Sequence, residues 1–276
     1  MTNTLKWYKI SRTGRRHLLK QERKGKVRQM QLTGRIAIVT GAGQGLGRAI
    51  ALLLAEEGAT VAAIGRTAAK LDKVVEEIAA KGGNAVAIPR DLTEEDQVQS
   101  MVDEVMDRFG RIDILVNNAG GYPKEMYDIS TQSPLKIWDW KPEQWDQIIR
   151  TNLRIPFLCM NKVTPVMREQ RSGDIVSISS RMGRIASQMG AYAVAKGGIV
   201  TLTKTVAIQM QEYGVRCNAV APTIVDTPGQ RVYNTSVGQD DVKMGDAHHV
   251  ALAVRYLLCD APPVMTGQVL DLFTTL

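Results

Sequence analysis

Tyr192 and Lys196 stand four residues apart in Tyr192-Ala193-Val194-Ala195-Lys196, where a stretch of helical periodicity begins. Residues i and i+4 share a helix face, so the phenol and the ammonium point the same way. A phenol beside a cation is a tunable proton donor. Free tyrosine titrates at about 10, and bringing it to about 7 takes about 4 kcal/mol. One unit charge at about 4 Å, in an effective dielectric of about 20, supplies that order. The expected chemistry is proton transfer by Tyr192, with Lys196 lowering its pKa. The spacing alone is weak evidence, because a chain with seven tyrosines and 35 Lys or Arg produces such a pair by chance.

A second cluster is Thr40-Gly41-Ala42-Gly43-Gln44-Gly45-Leu46-Gly47. It follows the apolar run Ile36–Val39, which reads as a buried strand, and precedes a helical pattern that ends at Gly58. Strand, glycine-rich turn and helix together suit a phosphate. Glycines let the backbone turn tightly and approach a pyrophosphate, and the helix N-terminus presents free N–H groups and a positive dipole. The plain alternative is a strand–helix turn without a ligand.

The formal charge of +7 is unevenly placed. Residues 1–30 hold ten Lys or Arg against Glu22 alone, a net +9, so the remainder sums to −2. This segment reads as a basic, disordered N-terminal extension. The sharper alternatives are an arm for nucleic acid, a mitochondrial presequence, or leader ahead of a start at Met30. Residues 31–276 are expected to form a single catalytic domain. No apolar run is long enough to span a bilayer, so no membrane partner is expected. Cys159, Cys217 and Cys259 are scattered without a C-x-x-C pair, which suits reduced thiols in a cytoplasmic protein. His17, His248 and His249 make no ligand pattern, so no metal is expected.

From residue 35 the chain alternates strand and helix. Strands are expected at 61–64, 85–88, 112–116, 174–178, 216–220 and 268–273. Helices follow Thr67, follow Thr93 as N-cap, and cover about 142–152, 155–170, 192–213 and 247–258. Residues 121–141, with Trp138 and Trp140, read as a loop beyond the fourth strand; residues 223–245 read as an irregular, polar lid. Such β–α alternation argues an α/β, doubly wound Rossmann fold: a single parallel sheet of about seven strands with helices on both faces.

Thr40–Gly47, Asp91, Asn117-Asn118-Ala119-Gly120, Asn152, Ser179-Ser180 and Tyr192–Lys196 fall, in this order, at the ends of consecutive elements. Together they match T-G-x-x-x-G-x-G, N-N-A-G and Y-x-x-x-K. The chain thereby resembles the classical short-chain dehydrogenase/reductase family over residues 32–270, with 3-oxoacyl-carrier-protein reductases as the closest general pattern. The resemblance implies hydride transfer between a nicotinamide and a carbonyl or secondary alcohol. Tyr192 would be the general acid or base, and Lys196 would lower its pKa and bind the nicotinamide ribose. Asn152 would carry a water relay to Lys196. Gly41, Gln44, Gly45, Leu46 and Gly47 would cradle the pyrophosphate. Asp91 and Leu92 would contact adenine, Asn118, Ala119 and Gly120 would flank the adenosine ribose, and the Val225 backbone would reach the carboxamide. For the serine that holds the substrate oxygen, the family's spacing to Tyr192 selects Ser179 and alignment of the fifth strand selects Ser180; strand register favours Ser180. A homotetramer packed through helices near 142–170 and 192–213 is also implied.

Cofactor choice is legible at the end of the second strand. An acid there holds an NAD ribose and repels a 2′-phosphate. This chain has Gly65-Arg66-Thr67 instead, and the Arg66 guanidinium suits a phosphate, so NADP(H) is expected over NAD(H). Two positions depart from the family pattern. Thr223 replaces the glycine that usually follows Pro222, and the segment Leu270–Leu276 lacks the usual D-G-G. The substrate stays open. Two other function classes fit parts of the chain: a dinucleotide-binding regulator without turnover, and a nucleic-acid contact through the basic arm.

Overall fold

Apolar runs that are buried on both faces become the strands. In a computed structural model, which describes residues 30–121, 136–187, 189–236 and 238–274, they are β1 (Ile36–Thr40), β2 (Thr60–Gly65), β3 (Asn84–Pro89), β4 (Ile114–Asn117), β5 (Gly173–Ile178), β6 (Val215–Pro222) and β7 (Val269–Leu272). All seven lie in one parallel sheet, in the order β3-β2-β1-β4-β5-β6-β7. The helices are α1 (Gly45–Glu56), α2 (Ala68–Ala80), α3 (Glu95–Phe109), α4 (Pro142–Ile149), α5 (Ile155–Gln170), α6 (Gly190–Met210), α7 (Pro228–Ser236) and α8 (Ala247–Arg255).

Every residue of β1 is buried, and its alternation divides the core. Ala37 and Val39 pack with Ile50 and Leu54 of α1, Leu71 and Val74 of α2, and Val250 and Val254 of α8. Ile36 and Ile38 pack on the other face with Met101 of α3, Leu158 and Val163 of α5, and Val206 of α6. Two helical layers therefore cover the sheet, as the pattern of strands and helices requires. Each fully buried Leu or Ile in these layers contributes about 1.5–3 kcal/mol of transfer free energy. The strand order reverses between β1 and β4. Crossovers leave these two strands in opposite directions, and a crevice opens at their carboxyl ends. Residues Gln31–Leu276 make one compact unit. The expectations for residues 1–29 and for most of the 121–141 loop fall on residues outside the described ones.

Several local expectations are corrected. The α3 N-cap position is Glu94, not Thr93; Thr93 instead donates its N–H and hydroxyl to the Asp91 carboxylate in a tight turn. Thr67 occupies the cap position of α2 but makes no side-chain cap bond. The helices expected at 142–152 and 155–170 are joined by a wide π turn, Arg150–Arg154, without a break. The segment 223–245 is not wholly irregular, since α7 lies inside it. Helix α6 starts at Gly190, two residues earlier than expected, so Tyr192 sits within its first turn.

Candidate active site

The cradle after β1 is built by glycines that no other residue could replace. Gly41 has φ 67° and Gly45 φ 55°, both in the left-handed region. At Gly47 a Cβ would overlap the Gly41 carbonyl and the Asn118 amide. The turn is held from behind by Thr40. Its hydroxyl donates to the Val116 carbonyl at 3.1 Å and accepts the N–H groups of Asn118 at 2.9 Å and Ala119 at 3.0 Å. The Asn118 side chain donates to the Thr40 carbonyl at 2.9 Å and the Gly41 carbonyl at 3.3 Å. So Asn118 reaches the cradle through its amide and clamps β1 to β4 across the crevice. Thr40 is a structural node that the sequence reading passed over; a hydroxyl at a strand end, directly before a required glycine, was the available signal.

Arg66 emerges exposed just past β2. Burial raises the Asp91 carboxyl, but the Thr93 N–H and hydroxyl and the charges of Arg66 and Arg150 outweigh it and hold Asp91 below its ordinary value. Leu92 beside it is buried. The sequence reading also missed Lys70, in the first turn of α2. Its Cβ is 3.0 Å from where a Gly43 Cβ would stand, and its Nζ donates to Gln44 Oε1 at 2.6 Å.

On the other side of the crevice, the turn after β5 meets α6. Ser179 and Ser180 are both buried and do different things. The Ser179 hydroxyl donates to the Lys196 carbonyl at 2.8 Å. The Ser180 hydroxyl hydrogen-bonds with the Tyr192 phenol and accepts the Met182 N–H at 3.2 Å. The turn Arg181–Gly183 lies so close to α6 that a Cβ on Gly183 would overlap the backbone at Lys196–Gly197. This contact fixes the height of Ser180 relative to Tyr192. Lys196 is 4% exposed, and its Nζ donates to the Ile178 carbonyl at 2.9 Å while lying 5.6 Å from the Tyr192 ring centre.

The electrostatics differ from the simple pair estimate. Burial pushes the Tyr192 phenol up to about 12, only partly offset by the Ser180 hydrogen bond. Burial pulls Lys196 down to about 8. The lysine therefore does not bring the phenol to about 7 in this arrangement. Desolvation acts on both groups, and the ammonium is directed at a carbonyl, not at the phenolic oxygen. Asn152 is fully buried in the π turn. Its Nδ2 donates to the Gly121 carbonyl at 2.9 Å, the Ile148 carbonyl at 3.2 Å and the Thr151 hydroxyl at 3.0 Å, and its Oδ1 accepts the Gly121 N–H at 2.8 Å. Its side chain thus ties the chain after β4 to the helices that carry the wall of the site. Val225, 8% exposed, pairs with Gly245 at the base of the 223–245 segment. Trp140 lies against the same cluster as Tyr192, and a Gly190 Cβ would stand 2.6 Å from its ring.

The short chain dehydrogenase family matches residues 35–237. The chain belongs to that family. It is accordingly an oxidoreductase acting at carbonyl or hydroxyl carbon. Among relatives, the 3-oxoacyl-[acyl-carrier-protein] reductase of Staphylococcus epidermidis is 38% identical over 245 residues, covering 84% of this chain and 94% of that protein. The Thermotoga maritima enzyme of the same name is 35% identical over 251 residues, covering 88% and 98%. Among solved structures, a levodione reductase superposes with a TM-score of 0.79 at 30% identity, covering 88% of this chain and 97% of that one. A 3-oxoacyl-[acyl-carrier protein] reductase with bound NAD from Brucella melitensis superposes with a TM-score of 0.78 at 28% identity, covering 99% and 98%. Among the described residues, no helix of this short-chain dehydrogenase is long and apolar enough to cross a membrane.

Proposed function

We propose that the protein is an NADP(H)-dependent oxidoreductase that transfers hydride between nicotinamide and a carbonyl or secondary alcohol, with Tyr192 as general acid and base. The observation that carries this reading is the Ser180–Tyr192 hydrogen bond beside the buried Lys196, on the side of the crevice opposite the glycine cradle. A regulator that only bound dinucleotide would need the cradle but no positioned proton donor.

The residues fit such a cofactor. The cradle offers backbone N–H groups at the start of α1 and excludes side chains where Gly47 meets Gly41. Gly41, Gln44, Gly45, Leu46 and Gly47 hold its pyrophosphate, Asp91 and Leu92 its adenine, and Asn118, Ala119 and Gly120 its adenosine ribose. Arg66 receives the 2′-phosphate, Lys196 the nicotinamide ribose, and the Val225 backbone the carboxamide. A dinucleotide held there would supply or accept the hydride. Ser180 orients the substrate oxygen towards Tyr192. The phenol, titrating at about 12, is protonated across neutral pH and is therefore poised to donate its proton as a carbonyl oxygen gains charge. Alcohol oxidation needs the phenolate and gains as pH rises. Asn152 braces Gly121 against the π turn and so keeps the substrate entrance and α6 in register.

Names of the relatives point to 3-oxoacyl thioesters as the first substrates to try. Mixing the protein with NADPH and a panel of such thioesters and simple ketones should consume NADPH in proportion to alcohol formed. Absence of turnover across the panel, with NADPH bound, would favour the regulatory reading.

Assembly follows the same family logic, and two exposed apolar side chains support it: Phe157 on α5 and Ile208 on α6, the latter 76% exposed. Light scattering at micromolar concentration should report a homotetramer. A monomer at that concentration would contradict the packing of copies through these helices.

A further inference from the structure

Thr223, which departs from the family pattern, touches Thr274 in the tail segment that lacks the usual D-G-G. Thr223 follows the last residue of β6, and Thr274 lies two residues past β7. Their hydroxyls are 2.7 Å apart, and the Thr274 N–H donates to Thr223 Oγ1 at 3.0 Å. The Thr274 hydroxyl donates to the Ile224 carbonyl at 2.7 Å. A threonine hydroxyl has one proton, so the bond between the hydroxyls is donated by Thr223. The Thr223 N–H in turn donates to the Leu272 carbonyl at 3.0 Å. Each hydroxyl of the pair thus donates one hydrogen bond and accepts another.

Space confirms how tightly the two segments meet. A Cβ on Gly245 would overlap the Thr274 side chain and carbonyl, so the chain passes there only because residue 245 is glycine. Gly245 is itself bound to the same strand: its N–H donates to the Ile224 carbonyl at 3.0 Å, and its carbonyl accepts the Asp226 N–H at 2.8 Å. The Ile224 carbonyl therefore accepts from Gly245 and Thr274 together, using both lone pairs. One residue further on, Val225 bridges Gly245, and Thr227 lies against the cradle, its Cβ 3.1 Å from where a Gly45 Cβ would stand.

We propose that Thr274, held by Thr223, is a positioning residue for the dinucleotide: it latches the Ile224–Thr227 segment against the glycine cradle. This rests on the reading of the crevice as a dinucleotide site. The latch ties the end of the sheet to both ends of the 223–245 excursion, which carries α7.

Calorimetry with NADPH and steady-state kinetics on the full chain test this. Thr274→Val removes the hydroxyl while keeping the branched shape. Binding should weaken about 5- to 20-fold, the loss expected for one or two hydrogen bonds. KM for the dinucleotide should rise alongside, with kcat within about twofold of wild type. Thr274→Ser should recover wild-type binding, and Thr223→Val should repeat the defect without adding to it in the double variant. Hydrogen exchange gives a readout free of the cofactor: amides of Ile224–Thr227 should exchange faster in Thr274→Val and Thr223→Val than in wild type. Unchanged protection and unchanged affinity would overturn the latch, as would a serine variant that fails to rescue. If wild type binds neither NADPH nor NADH, the cofactor reading fails, and exchange at Ile224–Thr227 alone decides whether the latch exists.

Discussion

Tyr192→Phe is expected to lower turnover by about 10²–10⁴, the usual contribution of a positioned general acid. The substitution removes the phenolic oxygen and keeps the ring. The ring lies against the cluster of Ile148, Ala191 and Ala195, so that cluster survives. The loss to the fold is one hydrogen bond, to Ser180, worth about 1 kcal/mol. Dinucleotide affinity should stay near wild type, because the cradle lies across the crevice from the phenol. The effect therefore belongs in kcat, read from steady-state NADPH consumption, with binding read separately by calorimetry. A variant with unimpaired turnover would remove Tyr192 from the mechanism.

Arg66→Ala is expected to weaken NADPH binding by about 1.5–3 kcal/mol, the range for a hydrogen bond to a charged group, and to leave NADH almost unaffected. The position after β2 carries no acid to repel a 2′-phosphate, and Arg66 stands exposed there. Its charge already helps hold the Asp91 carboxyl below its ordinary value, so the guanidinium stands near that carboxylate. Lys70 sits at the same corner, occupied with Gln44, so some attraction for phosphate should persist in the variant. Wild-type binding of NADH as tight as NADPH, or equal weakening of both by the substitution, would contradict this role.

The alternation of strands and helices was legible because each parallel strand is buried on both faces and reads as an apolar run; β1, with no exposed residue, is the clearest case. The glycine cradle was legible because its turn requires glycine for geometric reasons visible in the sequence. Helix α7 was missed because Pro228–Ser236 lacks an apolar stripe. Its signal was local instead: Thr227 accepts the Gln230 N–H as an N-cap, directly ahead of Pro228. The π turn at Arg150–Arg154 has no marker in residue type. It is stabilised by Asn152 bonding to Gly121, 31 residues away, which periodicity does not report. The pKa of Tyr192 was misjudged for a related reason. A pairwise estimate counts the lysine charge, but it omits desolvation, which depends on how the folded chain surrounds the phenol. Ser179 and Ser180 were separable only by register; the structure sends one hydroxyl to the Lys196 carbonyl and the other to Tyr192.

Hydride transfer itself is the most direct thing to measure. NADPH carrying deuterium at the transferable position of the nicotinamide should be incubated with wild-type protein and a 3-oxoacyl thioester or ketone that it turns over. Mass spectrometry should then find a single deuterium on the carbinol carbon of the alcohol, and Tyr192→Phe should give little labelled product in the same time. An alcohol that forms without deuterium, or a protein that binds NADPH and labels no carbonyl compound offered, would contradict the assignment of this crevice as a hydride-transfer site.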